Sequence, residues 1–322
     1  MHMADVLIST PVGLSMMGCA AVALGYSIKQ VEKEGDEGKS VKMGVLGAMI
    51  FASQMVNFTI PGTGASGHIV GTVLLAALIG PFASFITIAS ILLVQAFIFA
   101  DGGLLAYGCN VINMGFFGAF IAYPLIMKPI LKKSMSKRTI MIASITTSLV
   151  ALQLGAAGVV FETYVSSVSS YSLSTFLLLM LPIHLAIGLI EGIITGFVLQ
   201  YLYSVRPSLI AINSKEEVVL SRSNVTAISL IALFIASVLS LFASSNPDGL
   251  EWSVARANLS GNVTEVSEFL NHLQSKMSVF QGYSLNGSDA ASAAVISGIS
   301  GVVIVSLMIV FLSRIGKKKQ KS

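Results

Sequence analysis

Residues 82–100 and 223–243 contain no charged side chain, and across residues 174–204 the only one is Glu191. Apolar runs of roughly 17–25 residues match the hydrocarbon thickness of a bilayer, and a helix is how such a run satisfies its own backbone there. Charged residues make up 11% of the chain and hydrophobic residues 54%, whereas soluble domains carry about 25% charged residues. The chain therefore reads as an all-α integral membrane protein, a polytopic helix bundle, with one long hydrophilic loop at 244–288. Its 29 glycines suit close helix packing in lipid. The net charge of +4 is no nucleic-acid footprint, because the basic residues fall in short connections between apolar runs. Cys19 and Cys109 both sit in apolar context and form neither a disulfide framework nor a CxxC site.

The spacing predicts nine spans, at about 13–28, 43–57, 68–80, 82–100, 110–128, 139–160, 174–204, 223–243 and 289–313. Gly80-Pro81 separates the short third span from the fourth, because proline cannot continue a helix ladder. With the C-terminus inside, all 19 Lys and Arg residues except Arg256 and Lys276 lie on the inner face, as the positive-inside rule requires. Nine spans then put Met1, His2 and His68 on the outer face, where a solute arrives. The start is not read as a cleaved signal, since no Lys or Arg precedes the first apolar run. The bulky second residue protects Met1 from trimming.

Met1-His2 carries the most specific chemistry. A free α-amine, the His2 amide nitrogen and the His2 imidazole chelate one ion in two fused rings, and a second imidazole, His68, can close the set. Four nitrogens in a plane suit Ni²⁺ or Cu²⁺, and the absence of thiolates argues against structural zinc. The apolar tail 1–12 either lies on lipid or tucks into the bundle and delivers its amine to a pocket. His68 follows the glycine-rich loop Pro61-Gly62-Thr63-Gly64-Ala65-Ser66-Gly67. Irregular backbone at membrane depth must be buried or line a cavity. Asn57 and Ser66 are candidates to bond the non-coordinating nitrogen of an imidazole. Asp101 and Asn110 belong to a second glycine-rich outer segment expected beside the His68 loop. His184 and Glu191 share one helix face, as a relay or as a polar contact between helices. Gly188, Gly192 and Gly196 predict close helix packing. Asn246-Pro247-Asp248-Gly249 is turn chemistry, and His272 reads as a surface residue.

Three runs together carry a family resemblance: Met1-His2-Met3-Ala4-Asp5, Asn57 through His68, and Asp101 through Asn110. They resemble the NikM/CbiM family, the substrate-specific components of energy-coupling-factor transporters for Ni²⁺ and Co²⁺. Ser245-Asn246-Pro247-Asp248-Gly249-Leu250-Glu251-Trp252 and its two flanking spans resemble the NikN/CbiN-type PDGLE partner. The resemblance implies a fusion, with a metal-binding domain of seven spans at 1–215 and a PDGLE domain at 216–322. It further implies that the tail inserts into the bundle from outside. The ion would sit in a square-planar set made of the Met1 amine, the His2 amide, the His2 imidazole and the His68 imidazole. The implied cargo is Ni²⁺ or Co²⁺, and Met-His-Met-Ala-Asp looks like the nickel branch. The implied partners are two cytoplasmic ATPase subunits and a membrane coupling (T) component, because the chain has no Walker A motif. The implied location is a prokaryotic plasma membrane, crossed many times. Cys109 departs from the family's small residue there and is read as a buried thiol.

The chief alternative is cobalt uptake for corrinoid synthesis by the same mechanism. An intramembrane zinc hydrolase would need three protein ligands and a general base. No HExxH occurs, so the chain has no catalytic residues and is read as a transport subunit.

Overall fold

The computed structural model describes residues 1–36, 38–167, 172–212, 220–259, 261, 264–285 and 289–319, the last eight by backbone only. The expected division at 215/216 lies outside the described residues. Eleven helices of five residues or more are used below. They are α1 (Thr10–Glu34), α2 (Lys39–Gln54), α3 (Thr72–Ile79), α4 (Pro81–Phe99), α5 (Tyr107–Lys133), α6 (Lys137–Ser166), α7 (Leu173–Val205), α8 (Arg222–Ser237), α9 (Gly249–Arg256), α10 (Glu265–Met277) and α11 (Ala290–Lys319). A two-stranded antiparallel hairpin, β1 (Phe58–Ile60) and β2 (Ala65–Gly67), lies between α2 and α3.

Among the described residues, seven helices are long and apolar enough to cross a membrane: α1, α4, α5, α6, α7, α8 with its short extension to Phe242, and α11. This is a multi-pass membrane protein. Large apolar side chains face outward from it, such as Val22 at 76% exposure and Leu178 at 74%, as lipid contact requires. The two remaining expected spans are shorter helices, α2 of 16 residues and α3 of eight. Gly71 at φ 81° and Gly80 at φ 83° bound α3, and Pro81 opens α4 as the sequence predicts.

Glycines set the helix contacts. A Cβ on Gly192 would stand 2.5 Å from the Ile145 Cα and one on Gly188 3.2 Å from the Leu149 Cα, so α6 and α7 touch backbone to backbone. The expected stripe of small residues is thus an interface. The last helix, α11, closes on α2 with side chains seated over glycines. A Cβ on Gly47 would meet Ile309 at 2.7 Å, and one on Gly301 would meet Phe51 at 2.2 Å.

The loop read as irregular backbone is the hairpin. Gly62 and Gly64, both at φ 77°, make its turn. Strands of three residues are not stable alone, and residues 244–252 reinforce them. The Ser66 amide donates to the Pro247 carbonyl at 2.8 Å, the Ser244 amide to the Asn57 carbonyl at 2.8 Å, and the Trp252 indole to the Thr63 carbonyl at 3.0 Å. This strap ties the long loop to the segment carrying His68.

Candidate metal centre

The tail does not lie on lipid. Met1, Met3, Leu7 and Ile8 are buried, and polar groups on other elements fix the backbone between them. The Met3 amide donates to Asn110 Oδ1 at 2.7 Å. The Met3 carbonyl accepts from Asn110 Nδ2 at 3.2 Å and from the Gly103 amide at 2.8 Å. Asp5 Oδ1 accepts from the Ala106 amide at 2.9 Å. A Cβ on Gly103 would fall 1.8 Å from that oxygen, so the Asp101–Asn110 segment must carry glycine where the tail passes. Each buried backbone group of Met3 therefore has a partner, which a segment inside a membrane bundle needs.

This clamp places the amine. The Met1 nitrogen lies 3.5 Å from His68 Nε2 and donates to Asp248 Oδ2 at 2.8 Å. The His2 and His68 rings stack at 5.3 Å between centroids, 28° apart in plane. One ligand atom each from His2, His68 and Asp248 lies within 4.8 Å of the others.

Hydrogen bonds then fix which ring nitrogens are bare. His68 Nδ1 is 3.0 Å from the Ile69 carbonyl, which only accepts, so Nδ1 carries the proton and Nε2 turns its lone pair toward the amine. For His2 the argument runs through two glutamines. Gln54 Nε2 donates to the Val70 carbonyl at 2.8 Å, which leaves Gln54 Oε1 to accept from Gln95 Nε2 at 2.9 Å. Gln95 Oε1 then faces His2 Nε2 at 3.1 Å and must accept from it. His2 Nδ1, the nitrogen that closes a chelate ring with its own amide, is left outside this chain and faces the Asp101 carboxylate at 3.4 Å. His2 Nδ1 and His68 Nε2 are thus the ring nitrogens left for a divalent ion, which binds imidazole in its neutral form.

Asp248 stands at the N-cap of α9, where its Oδ1 accepts from the Glu251 amide at 2.8 Å. Burial pushes this carboxyl up, but the Met1 ammonium and its hydrogen bonds outweigh that and hold it well below the usual carboxylate range.

The other sequence candidates fall as follows. Asp101 Oδ1 lies 3.4 Å from His2 Nδ1, and its Oδ2 accepts from the Tyr283 hydroxyl at 2.7 Å. Asn110 holds the Met3 backbone. Ser66 gives its hydroxyl to the Asn246 carbonyl at 2.8 Å, because the strap rather than a histidine lies beside it. The Asn57 carbonyl likewise binds the strap. Glu191 is a polar contact between helices: its two oxygens accept from the Val70 and Gly71 amides at 2.7 and 3.0 Å, just before α3. His184 bonds Met180 of its own helix through Nδ1 at 2.8 Å and lines a narrow cavity with Met1, His68 and Asp248. Cys109 is buried and Cys19 exposed, both as free thiols. His272 is on the surface.

Gln95, Gln54 and Asp248 are the participants the sequence did not single out. For Gln95 a signal exists, a polar side chain in the uncharged run Ile91-Leu92-Leu93-Val94-Gln95-Ala96.

Residues 2–209 match the family described as "Cobalt uptake substrate-specific transmembrane region" (CbiM), and residues 222–318 match the PDGLE domain. A putative fused nickel transport protein NikMN of Archaeoglobus fulgidus is 30% identical, over 95% of each chain. A probable fused nickel transport protein LarMN of Lactiplantibacillus plantarum is 27% identical, over 83% of each. The cobalt transport protein CbiM of Sorangium cellulosum is 30% identical, over 59% of this chain and 84% of that one. The crystal structure of a truncated transition metal transporter superposes with a TM-score of 0.57 at 28% identity, covering 64% of this chain and 99% of that chain.

Proposed function

The chain belongs to the CbiM family of cobalt-uptake substrate-specific transmembrane regions and carries a PDGLE domain behind it, and on that premise we propose that it captures Ni²⁺ on the outer face and passes it inward as the substrate-specific component of an energy-coupling-factor transporter. The observation that carries this reading is the convergence of the Met1 amine on His68 Nε2 at 3.5 Å beneath the stacked His2 ring. In the proposed complex, the Met1 ammonium and the His2 amide each give up a proton. The Met1 amine, the His2 amide, His2 Nδ1 and His68 Nε2 then take the four corners of a plane. The glutamine pair orients His2, and the Ile69 carbonyl orients His68.

In this reading residues 1–215 are the metal-binding domain and 216–322 the PDGLE domain. The chain makes nine crossings, with its N-terminus outside and its C-terminus inside; α2 and α3 complete the nine beside the seven long helices. Two cytoplasmic ATPase subunits and a membrane T component supply the energy. The chain itself is no enzyme. Nickel is favoured over cobalt because Ni²⁺ binds nitrogen donors more tightly and takes the planar geometry more readily. Cobalt uptake through the same nitrogens is the second reading, supported by the relatives named for cobalt.

The test is metal content and optical spectrum after the purified chain, with a free N-terminus, meets equal Ni²⁺ and Co²⁺. One Ni²⁺ per chain with a yellow, diamagnetic spectrum is expected. His2→Ala and His68→Ala should each abolish tight binding while His272→Ala keeps it. Tight binding retained in His68→Ala would sink the four-nitrogen set, and a preference for Co²⁺ would move the cargo to cobalt.

A further inference from the structure

The nitrogen set leaves a charge unaccounted for. A dication bound by one deprotonated amide and three neutral nitrogens keeps one net positive charge. That charge would sit among buried side chains, where an uncompensated ion is costly. Two carboxylates stand beside the set: Asp101 Oδ1 faces His2 Nδ1 at 3.4 Å while its Oδ2 is held by the Tyr283 hydroxyl, and a second, from outside the metal-binding domain, touches the amine itself. Asp248 accepts from the Met1 amine at 2.8 Å, with 15% of its side chain exposed. We propose that Asp248 of the PDGLE segment is a counter-charge of the metal site on its amine side, bonded to the Met1 amine in both the empty and the loaded state. This rests on the nitrogen set described above.

The contact survives loading on chemical grounds. A primary amine on a metal keeps two N–H bonds, and coordination makes them better donors. Asp248 can therefore stay on the amine without taking a place on the ion. Dication, amidate and the Asp248 carboxylate sum to zero on the amine side of the site, with Asp101 facing the His2 side.

The structure also explains how a residue so distant in sequence reaches the amine. Ser66, two residues before His68, receives the strap: its amide donates to the Pro247 carbonyl at 2.8 Å and its hydroxyl to the Asn246 carbonyl at 2.8 Å. Thr59 on the facing strand donates to the Ser244 hydroxyl at 2.9 Å, and Trp252 locks on Thr63 from the next turn. Asp248 Oδ1 is engaged by the Glu251 amide, and the Asp248 amide donates to Glu251 Oε2 at 3.2 Å, so only Oδ2 is free for the amine. A Cβ on Gly249 would meet Ile183 at 2.6 Å and His184 at 3.3 Å, so the segment seats against α7 as well. One strap thus fixes the depth of the carboxylate and the position of the loop that carries His68.

The test uses the full chain titrated with Ni²⁺ alone. Asp248→Asn removes the charge and keeps a good N-cap for α9. Its affinity should fall roughly 10- to 100-fold, as for other groups that bond to metal ligands. The planar ligand-field spectrum should persist, because no ligand is lost. Emission of Trp252, the only tryptophan of the chain, should match the parent in the metal-free protein, because the strap stays seated. Asp248→Glu should recover most of the affinity. Unchanged affinity in Asp248→Asn overturns the proposal. So does a shifted Trp252 emission in both variants, which would put the fault in the strap rather than the charge. If His68→Ala keeps the parent's affinity, the nitrogen set itself fails, whatever Asp248 does.

Discussion

The His2 imidazole has two nitrogens and only one can close a ring with its own amide. Nothing in the dipeptide Met1-His2 decides which stays bare. The decision is made by the Val70 carbonyl, which cannot donate and so orients Gln54, then Gln95, then His2. Gln95 is therefore a positioning residue. Gln95→Leu keeps the apolar volume and removes the acceptor, so nickel affinity should drop roughly 10- to 100-fold. Gln95→Glu restores an acceptor and should bind more tightly than Gln95→Leu. Equilibrium dialysis with metal analysis checks both. Equal affinity for Gln95→Leu and the parent would mean the chelate selects its own tautomer. The two histidines proposed as ligands were legible in the sequence because the Met-His start could be read together with the glycine-rich loop before His68. The glutamines were not, because their role depends on a carbonyl contributed by another segment.

Between residue and bundle lies the tail, eight residues without a regular element of their own beyond a short turn at Asp5–Leu7. Local sequence left open whether it lay on lipid or inside. What settles it is donors and acceptors on the Asp101–Asn110 segment, above all Asn110, which meets both backbone groups of Met3. Asn110→Ala would strand the Met3 amide at a cost on the order of 1–3 kcal/mol, while the Gly103 amide still serves the Met3 carbonyl. The tail should then leave its groove part of the time. In detergent, aminopeptidase should trim Asn110→Ala from Met1 while sparing the parent, with intact mass as the readout. Equal resistance would mean apolar burial of Met3 and Ile8 holds the tail unaided. The long helices were readable for the opposite reason: their burial against lipid is encoded residue by residue along each run. The hairpin was not readable, because strands of three residues are too short to show a period of two and their third partner lies far along the chain. Asp248 hid behind a sufficient local explanation, since Asn-Pro-Asp-Gly accounts for a turn and a helix cap without any metal.

At the scale of the molecule, the two segments share more than a covalent link. Gln274 of α10 donates to the Ala96 and Gly102 carbonyls at 2.9 and 2.7 Å. The Phe280 amide donates to the Ile98 carbonyl at 3.0 Å, and Tyr283 stacks on Phe99 at 4.8 Å. A Cβ on Gly261 would meet the Val6 carbonyl at 2.2 Å, so the long loop also covers the tail. Below these contacts, the glycines of α2 and α11 bring the last helix against the bundle. Such an interface does not depend on the connection between residues 212 and 220. A chain divided between residues 215 and 216 and coexpressed as two pieces should therefore copurify. It should bind Ni²⁺ with the affinity of the intact chain. Residues 1–215 expressed alone should bind more weakly, by at least the factor lost in Asp248→Asn, because they lack both the counter-charge and the strap over the hairpin. Supplying residues 216–322 that carry Asp248→Asn should restore the strap but not the charge. The divided chain should then match full-length Asp248→Asn rather than the parent. Equal nickel affinity for residues 1–215 alone and for the intact chain would mean that the outer segment acts on a step after capture, and that the ion is held by the first segment without electrostatic help from the second.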